Sequence, residues 1–594
     1  MGLQAKSWWL NVPVIPFDIL RSVMHSYRDI VLGEFLGWAS PNPWFVPPGL
    51  LVFSLIGWGA LGIQRRWTTL LVTAGWFLVH NLFNAALITA TWQLGRYQAP
   101  HVPVMLVLAV YGLAFVHQRA GSPRRRRLLL SLAALFLLAS SFYSTVRFVG
   151  FYRQAISTMS RQQLVVADWL RENLPADARV GVSDAGSLRY AGERPTYDVI
   201  GLTTPDAAIA WRHGSGSVFE TLEHSAMRPD YFAIFPDIFF VPYLASTDLF
   251  AAELFRVEVP DAAFASPSTV KGVWRADWRL ADSGARFYQS DILARSAGLR
   301  LMDTLDVADL QDEAAHDVQW WQDVIRPGFP SEVRQFKYRV PPGQEVLDGG
   351  RLLTGGIAFT VATKPGEPLW IVARLHAQEA GAVRVQVDGR DVGRWAYAPV
   401  PGQWLETVFR VPADAVSRTR TRIVLRVDAD NPDFRHYAPY YYWFLQGEPE
   451  FTLPVIQHST PVTFAEGIHL LGFDLPQAEW RPGDVLPVTL YWQTTEPIRS
   501  NAKVFLHLYD SAGNLAVQSD GWVFYDTRPP YTWQPGEVVI GHRPLALPAD
   551  LPAGQYSLEV GLYEPDVGQR LPVYRSGVRQ AEDRATLATL EVVR

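Results

Sequence analysis

Residues 45–63, FVPPGLLVFSLIGWGALGI, form a run of 19 residues without a charged side chain. Three further apolar runs follow, at about residues 68–90, 100–117 and 128–148. An α-helix needs about 20 apolar residues to cross the hydrocarbon core of a bilayer. The pattern predicts four transmembrane helices in a membrane domain of residues 1–150. Buried core helices of a soluble protein are the alternative, and the unbroken length of the runs counts against it.

The composition of the whole chain limits the classes of function. Charged residues make up 19% of the 594 residues, the chain has 22 tryptophans, and its formal net charge is −5. A chain of this length divides into several domains. The negative charge argues against nucleic acid as a partner. Because the chain has no cysteine, structural disulfides and thiolate metal sites are excluded.

Arginines between the apolar runs set the expected orientation. Arg65 and Arg66 follow the first run, and Arg119 with the arginines of residues 124–127 follows the third. The positive-inside rule places both links in the cytoplasm. The link between the second and third runs, and everything after Phe148, then lies outside. We therefore expect a multi-pass cell-membrane protein with extracytoplasmic C-terminal domains.

This orientation also places the N-terminal segment outside, although no apolar run precedes it. Residues 7–20, SWWLNVPVIPFDIL, lack the basic region and the cleavage site of a signal peptide. The chain is therefore expected to be the back portion of a larger membrane protein. An interfacial segment that is translocated by itself is the alternative.

Three extracytoplasmic domains are predicted after the membrane domain. Alternating short strands and helices indicate an α/β domain at residues 151–298. Strands that alternate with period two indicate a jelly-roll-like β-sandwich at residues 299–449 and an immunoglobulin- or fibronectin-like β-sandwich at residues 450–594. Asp388-Gly389 predicts a hairpin turn in the first sandwich. The fold class is thus a multidomain membrane protein with about four transmembrane helices, a small α/β domain and two antiparallel β-sandwiches.

The link between the second and third runs, GRYQAPHVP at residues 95–103, combines Arg96 and Tyr97 with Pro100 and Pro103. It is similar to the RYxxPxxP region of GT-C membrane glycosyltransferases, in particular the family 39-like enzymes that use a polyprenyl-phosphate sugar as donor. Residues 165–202 resemble the α/β segment that follows the last span in many bacterial members. Residues 470–493 and 554–571 resemble a β-sandwich appended to some of them.

The resemblance implies a transferase that moves a sugar from a polyprenyl phosphate to an extracytoplasmic acceptor, with no cofactor. It places the donor phosphate at Arg96 and Tyr97, since arginine offers paired donors to phosphate oxygens. An interfacial anchor is the alternative reading of these two residues. His101 departs from the apolar residue usual in the family and is expected to be incidental.

The family's catalytic carboxylate lies on the first outward loop of a much longer membrane domain. The outward acidic residues before the first run are Asp18, Asp29 and Glu34, and we expect them to be solvated or interfacial. No catalytic residue is therefore predicted, and the resemblance implies that the catalytic front half is missing from this chain. A separate membrane subunit could supply the catalytic loop.

Other segments carry weaker signals. His80, Asn81 and Asn84 lie within the second run, where hydrogen bonding between helices is expected. The carboxylates of Asp428 to Asp433 suit calcium, but ordinary turns share this composition, and no metal site is predicted. The rings of HYAPYYYWF, residues 436–444, are expected in the core rather than stacked on sugars. The alternative function is a non-catalytic, membrane-anchored surface protein whose sandwiches bind glycans or proteins.

Overall fold

The computed structural model describes most of the chain. The described ranges are 16–35, 46–86, 96–238, 249–262, 266–288, 296–324, 331–341, 343–428, 436–477 and 479–593. These residues form two compact units that divide between Asp277 and Trp278. The first is helical with one small sheet, and the second consists of β-sheets, so the chain is multidomain and rich in β-sandwich structure.

The first unit begins with five helices. They are α1 (Pro16–Asp29), α2 (Pro48–Ile63), α3 (Trp67–Ala85), α4 (His101–Arg119) and α5 (Pro123–Thr158). Helices α2 to α5 occupy the four predicted apolar runs. Among the described residues, two helices are long and apolar enough to cross a membrane by length and composition, namely α4 and the continuous helix that starts at Pro123, while α2 is shorter.

Helices α2 and α4 pack with their backbones in close contact. A Cβ atom added at Gly57 would overlap the carbonyl oxygen of Leu108, and one added at Gly112 would overlap that of Phe53. The Ser54 hydroxyl donates to the carbonyl of Met105 across the same interface, at 2.8 Å. Small residues permit this approach, which is the usual way that helices associate in a bilayer.

Helix α5 leads without a break into the α/β part of the unit. It passes through a π-helical turn, Met159–Leu164, into α6 (Val165–Asn173). The sheet has the order β2-β1-β3-β5-β4, in which β1 pairs parallel with β2 and β3. The elements of this part are β1 (Val180–Val182), α7 (Ala185–Gly192), β2 (Thr196–Asp198), α8 (Ala207–His213), α9 (Ser215–Glu223), β3 (Tyr231–Ile234), β4 (Phe250–Glu258) and β5 (Val270–Ala276).

The first β-sandwich of the second unit packs a five-stranded sheet on a four-stranded one. The five-stranded sheet has the order β14-β13-β16-β11-β8, and the other has the order β15-β12-β17-β7. Asp388 and Gly389 join β13 to β14 with φ of 47° and 86°, as the predicted hairpin turn requires. The strands are β6 (Ser296–Ala297), β7 (Arg300–Asp306), β8 (Gln319–Trp321), β9 (Lys337–Val340), β10 (Gln344–Leu347), β11 (Gly356–Ala362), β12 (Leu369–Leu375), β13 (Gly381–Val387), β14 (Arg390–Tyr397), β15 (Leu405–Val411), β16 (Arg420–Val427) and β17 (Pro439–Gln446), with the short helix α10 (Leu310–Ala315) after β7.

The second β-sandwich packs a sheet of order β25-β22-β20-β19-β27-β28 on one of order β21-β29-β26-β23-β24. Two Pro-Gly turns start the neighbouring strands β22 and β25, and Gly483 and Gly536 have φ of 89° and 83° in them. Positive φ after proline is the type II geometry that glycine permits. The strands are β18 (Glu450–Phe451), β19 (His458–Phe464), β20 (Ile468–Asp474), β21 (Glu479–Trp480), β22 (Val485–Thr494), β23 (Lys503–Asp510), β24 (Leu515–Gly521), β25 (Val538–Ala546), β26 (Gly554–Tyr563), β27 (Val573–Arg575), β28 (Val578–Arg579) and β29 (Ala585–Val592), with the short helix α11 (Val523–Asp526) after β24.

The second unit starts earlier than the sandwich boundary of residue 299 expected from the sequence. Arg374, on β12, is fully buried and donates to the carbonyl oxygens of Gly284 and Arg286, at 2.5 Å each. The same guanidinium pairs with Asp348 and Glu406, both at 2.7 Å. The segment before residue 299 therefore completes a buried ion network of the first sandwich.

Candidate functional site

The RY turn, defined as Arg96–Gln98, is one turn of 3₁₀-helix immediately before α4. Pro100 and Pro103 lie at the start of α4, where a helix does not need their missing N–H groups. Arg96 is exposed, Tyr97 is half-buried and Gln98 is fully buried. The turn therefore presents the guanidinium outward while its last residue is inserted into the protein.

Polar side chains of α3 hold the turn in place. The Asn84 amide donates to the carbonyl oxygen of Tyr97, at 3.2 Å. The same amide nitrogen lies 3.2 Å from Nδ1 of His80, which in turn lies 3.0 Å from Nε2 of His101. These contacts join the Asn84 amide and the two imidazole rings in one polar cluster. The expected hydrogen bonding between helices is present, and it reaches the turn itself.

His101 is not incidental, in contrast to the expectation from the sequence. Its ring is 1% exposed and lies between the rings of His80 and Phe77, with centroid distances of 4.6 and 4.9 Å. It thus links the first residue of α4 to α3 below the turn. The sequence did not predict this contact between α4 and α3, because the corresponding position is apolar in the family that the segment resembles.

Two buried amides, Gln98 in the turn and Asn81 on α3, have unused hydrogen-bonding atoms. Both polar side-chain atoms of Gln98 and the Oδ1 atom of Asn81 have no hydrogen-bond partner in the described part of the chain. Leaving such a group unpaired in the interior costs about 1–3 kcal/mol. Buried polar atoms in folded proteins usually have a protein or water partner, so these three atoms can bond to water or to a ligand group.

Most N–H groups of the Arg96 guanidinium make no hydrogen bond within the described part of the chain. Its Nη2 donates to the Tyr97 hydroxyl at 3.3 Å, and its Cζ atom lies 5.2 Å from the centroid of that ring. Within the described ranges, no carboxylate lies within ion-pair distance of Arg96. An arginine has five N–H donors, so the turn can offer a pair of them to an anion.

The acidic residues proposed from the sequence supply no free carboxylate in the described side chains. Asp29 pairs with Arg28 at 2.8 Å, and Arg28 also contacts Nε2 of His25. The side chains of Asp18 and Glu34 lie outside the described residues.

The two candidate segments of the first sandwich behave as ordinary structure where they are described. Asp428 receives a hydrogen bond from Arg394, at 2.9 Å, and residues 429–433 lie outside the described ranges. The aromatic run forms β17, in which Tyr442 and Phe444 face the core between the sheets and Trp443 packs on the other face. The rings of β17 are buried on both faces, as the sequence predicts.

Comparisons with known proteins give limited information. A family model described as a domain of unknown function, DUF8728, matches residues 154–300. The match covers the α/β part and extends past Asp277 into the first residues of the second unit. No curated protein matches the chain.

Among solved structures, similarity is found to a calcium-binding mutant of β-glucuronidase 2 from Bacteroides uniformis, with 13% identity over 40% of this chain and 27% of that one and a TM-score of 0.15. A β-glucuronidase from Bifidobacterium dentium is 12% identical over 40% of this chain and 39% of that one, with a TM-score of 0.14. The chain spans between about a quarter and two fifths of these proteins. Such low TM-scores carry no argument about fold or function.

Proposed function

We propose that the RY turn binds the phosphate of a polyprenyl-phosphate sugar at a membrane surface. The chain is then the donor-binding part of a GT-C-type glycosyltransferase that passes the sugar to an extracytoplasmic acceptor. The observation that carries the proposal is the exposed guanidinium of Arg96, which a buried polar cluster fixes on a turn between two apolar helices.

The surface of α2 to α5 supports a location in a bilayer. Leu71, Val107, Leu138 and Phe142 are each about 70% exposed on these helices. A protein surrounded by water rarely exposes so much contiguous apolar surface. In this proposal, lipid acyl chains cover these side chains and the four helices are spans.

The order of the helices supports the outer surface as the place of the turn. Arg65 and Arg66 lie just before the N-terminus of α3, and Arg119 lies at the C-terminus of α4. Because consecutive spans run in opposite directions, both arginine-rich links lie on one side of the membrane in this proposal. The RY turn connects the C-terminus of α3 to the N-terminus of α4 and therefore lies on the opposite side. Helix α5 begins at the arginine-rich end and leads into the α/β part, which therefore lies on the side of the turn.

The chemistry of the turn suits a lipid phosphate. A guanidinium binds two phosphate oxygens with a planar pair of donors, which a lysine cannot reproduce. The ring of Tyr97, beneath that guanidinium, is of the kind that lies at membrane interfaces. The buried amide of Gln98, in the same turn, adds polar atoms that have no partner among the described residues.

The proposal assigns donor binding, and not the proton transfer, to the described residues. Transfer to a hydroxyl acceptor needs a base within hydrogen-bond reach of that hydroxyl. Asp29, the described candidate, is held by Arg28. We therefore propose that the catalytic carboxylate comes from a separate membrane subunit, or from another segment of the protein.

The proposal is tested by donor binding to the full chain in lipid nanodiscs. Arg96→Ala should weaken binding of a polyprenyl-phosphate sugar about ten- to a hundredfold, because hydrogen bonds to a charged group contribute about 1.5–3 kcal/mol. Arg96→Lys should recover part of the affinity. Arg66→Ala, at the opposite end of α3, is the matched control and should bind like the wild type. If Arg96→Ala binds equally well with an unchanged melting temperature, the turn is an interfacial anchor and the proposal is wrong.

A further inference from the structure

The second unit contains a large cleft between its two sandwiches, with a volume of about 1110 Å³. One wall comes from β14 and β15 of the first sandwich, and the other comes from residues 497–501 and 531–535 of the second. Pockets for single small molecules usually measure about 300–1,000 Å³, so this cleft has room for a longer ligand.

Aromatic rings line both walls of the cleft. Trp395, Tyr397 and Phe409 belong to the first sandwich, and Tyr531 and Trp533 belong to the second. Trp395, Tyr397 and Trp533 are only 3–5% exposed and pack in the two cores, so they support the walls rather than offer ring faces. Phe409 and Tyr531 are half-buried, so part of each ring is accessible. The Trp533 indole donates to the carbonyl of Arg528, at 3.1 Å, and the rings of Trp395 and Phe409 lie 5.7 Å apart. The rings are therefore held in fixed positions before any ligand arrives.

Planar polar side chains line the same cleft. Arg394 and Asp428 form an ion pair in the wall, with 2.9 Å between Nε and Oδ2. The Oδ1 atom of Asn501 is buried without a hydrogen-bond partner in the described residues. The side chain of Gln534 lines the same wall and is half-exposed. Amide, carboxylate and guanidinium groups offer paired donors and acceptors at the spacing of neighbouring hydroxyl groups.

We propose that this cleft binds an oligosaccharide of several sugar units. A sugar ring has an apolar face of C–H groups, which packs on an aromatic ring, and a rim of hydroxyls, which matches planar polar groups. The lining contains both kinds of group, with Phe409 and Tyr531 as the partly accessible rings. An extended peptide paired with the edge strand β14 is the competing occupant, and the polar groups of the second sandwich have no evident role in it. The proposal is independent of donor binding by the RY turn.

The test uses the full chain in nanodiscs, because detergents with sugar head groups would compete for the cleft. Neutral oligosaccharides and oligosaccharides that contain uronic acids are titrated separately, and isothermal titration calorimetry measures their binding. Saturable binding of either class is the expected result. Exposed Arg499, at the rim, gives an acidic chain the higher affinity if both bind.

Variants connect that binding to the cleft. Tyr531→Ala should weaken it about three- to tenfold, because an aromatic contact contributes about 0.5–1.5 kcal/mol. Gln534→Ala, which alters a half-exposed amide, should weaken it without lowering the melting temperature. Tyr190→Ala changes a tyrosine that is 89% exposed outside the cleft and should have no effect. The proposal is wrong if neither oligosaccharide class binds, if the cleft variants bind like the wild type, or if the cleft instead takes up an extended peptide.

Discussion

Lys271, on β5, is a fully buried amine in the α/β part of the chain. Its ammonium donates to Oε1 of Gln163 and lies 4.3 Å from the centroid of the Phe235 ring. Burial lowers the pKa of Lys271 to about 8, against an ordinary value of about 10.4. The nearby carboxylate of Asp184 opposes this shift.

The depressed pKa makes the stability of the protein depend on pH. Below about pH 8 the lysine is charged in both the folded and the unfolded state, and the folded state carries the full cost of burying the charge. Between about pH 8 and 10.4 the unfolded chain binds more protons, so this group makes stability rise with pH.

Lys271→Met should therefore stabilise the protein at pH 7, by an amount on the order of 2 kcal/mol, and should have a smaller effect at pH 10. Gln163→Leu is combined with it so that the amide is not left unpaired. The measurement is the thermal unfolding midpoint at both pH values. Lys364→Met, at an exposed lysine, is the control and should show no such difference. An equal shift at pH 7 and pH 10 would show that the charge of Lys271 does not set the effect.

At the same scale, the sequence identified only part of the candidate site. Arg96 and Tyr97 were found from their neighbours Pro100 and Pro103, and their role stays a prediction. His101 and Gln98 were missed because burial of a polar side chain depends on the packing of α3 against the turn. That packing leaves no local pattern in the sequence.

At the scale of elements, the contact between α2 and α4 depends on glycine at one position. Gly57 faces the backbone of α4, whereas Gly59 of the same helix has open space where a Cβ would lie. Gly57→Ala should destabilise the protein by about 1–3 kcal/mol, because the helices must separate to admit the methyl group. Gly59→Ala is the matched control and should not lower stability, since alanine is the better helix former. Thermal unfolding in one lipid or detergent system compares the two, and equal melting temperatures would contradict the observed packing.

Turns were the elements that the sequence predicted best. The predicted Asp388-Gly389 turn is determined by local backbone preferences and has the expected positive φ at both residues. The two Pro-Gly turns follow the same local rule, with positive φ at Gly483 and Gly536. The antiparallel strands β4 and β5 of the α/β sheet were not predicted. Strand β5 pairs with β3, which is far from it in sequence, and β4 pairs with β5 at the edge of the sheet, so no local signal reveals this order.

At the scale of the whole molecule, the sequence separated an apolar front from a β-rich remainder, and the structure has that division. The start of the second unit at Trp278 was not predicted. Residues 284 and 286 join the first sandwich through backbone carbonyls that accept from Arg374. A carbonyl is the same in every residue type, so a contact of this kind cannot be found from residue identity.

The central claim is that the RY turn holds a lipid phosphate, and photocrosslinking to the full chain in nanodiscs tests it most directly. The probe is a polyprenyl phosphate with a photoreactive group in its first isoprene unit, and the matching polyprenyl alcohol is the control without phosphate. We predict phosphate-dependent labelling at residues 96–105, and competition by an unlabelled polyprenyl-phosphate sugar. Labelling of the exposed faces of α3 and α5 by phosphate and alcohol alike, without enrichment at the turn, would contradict the claim.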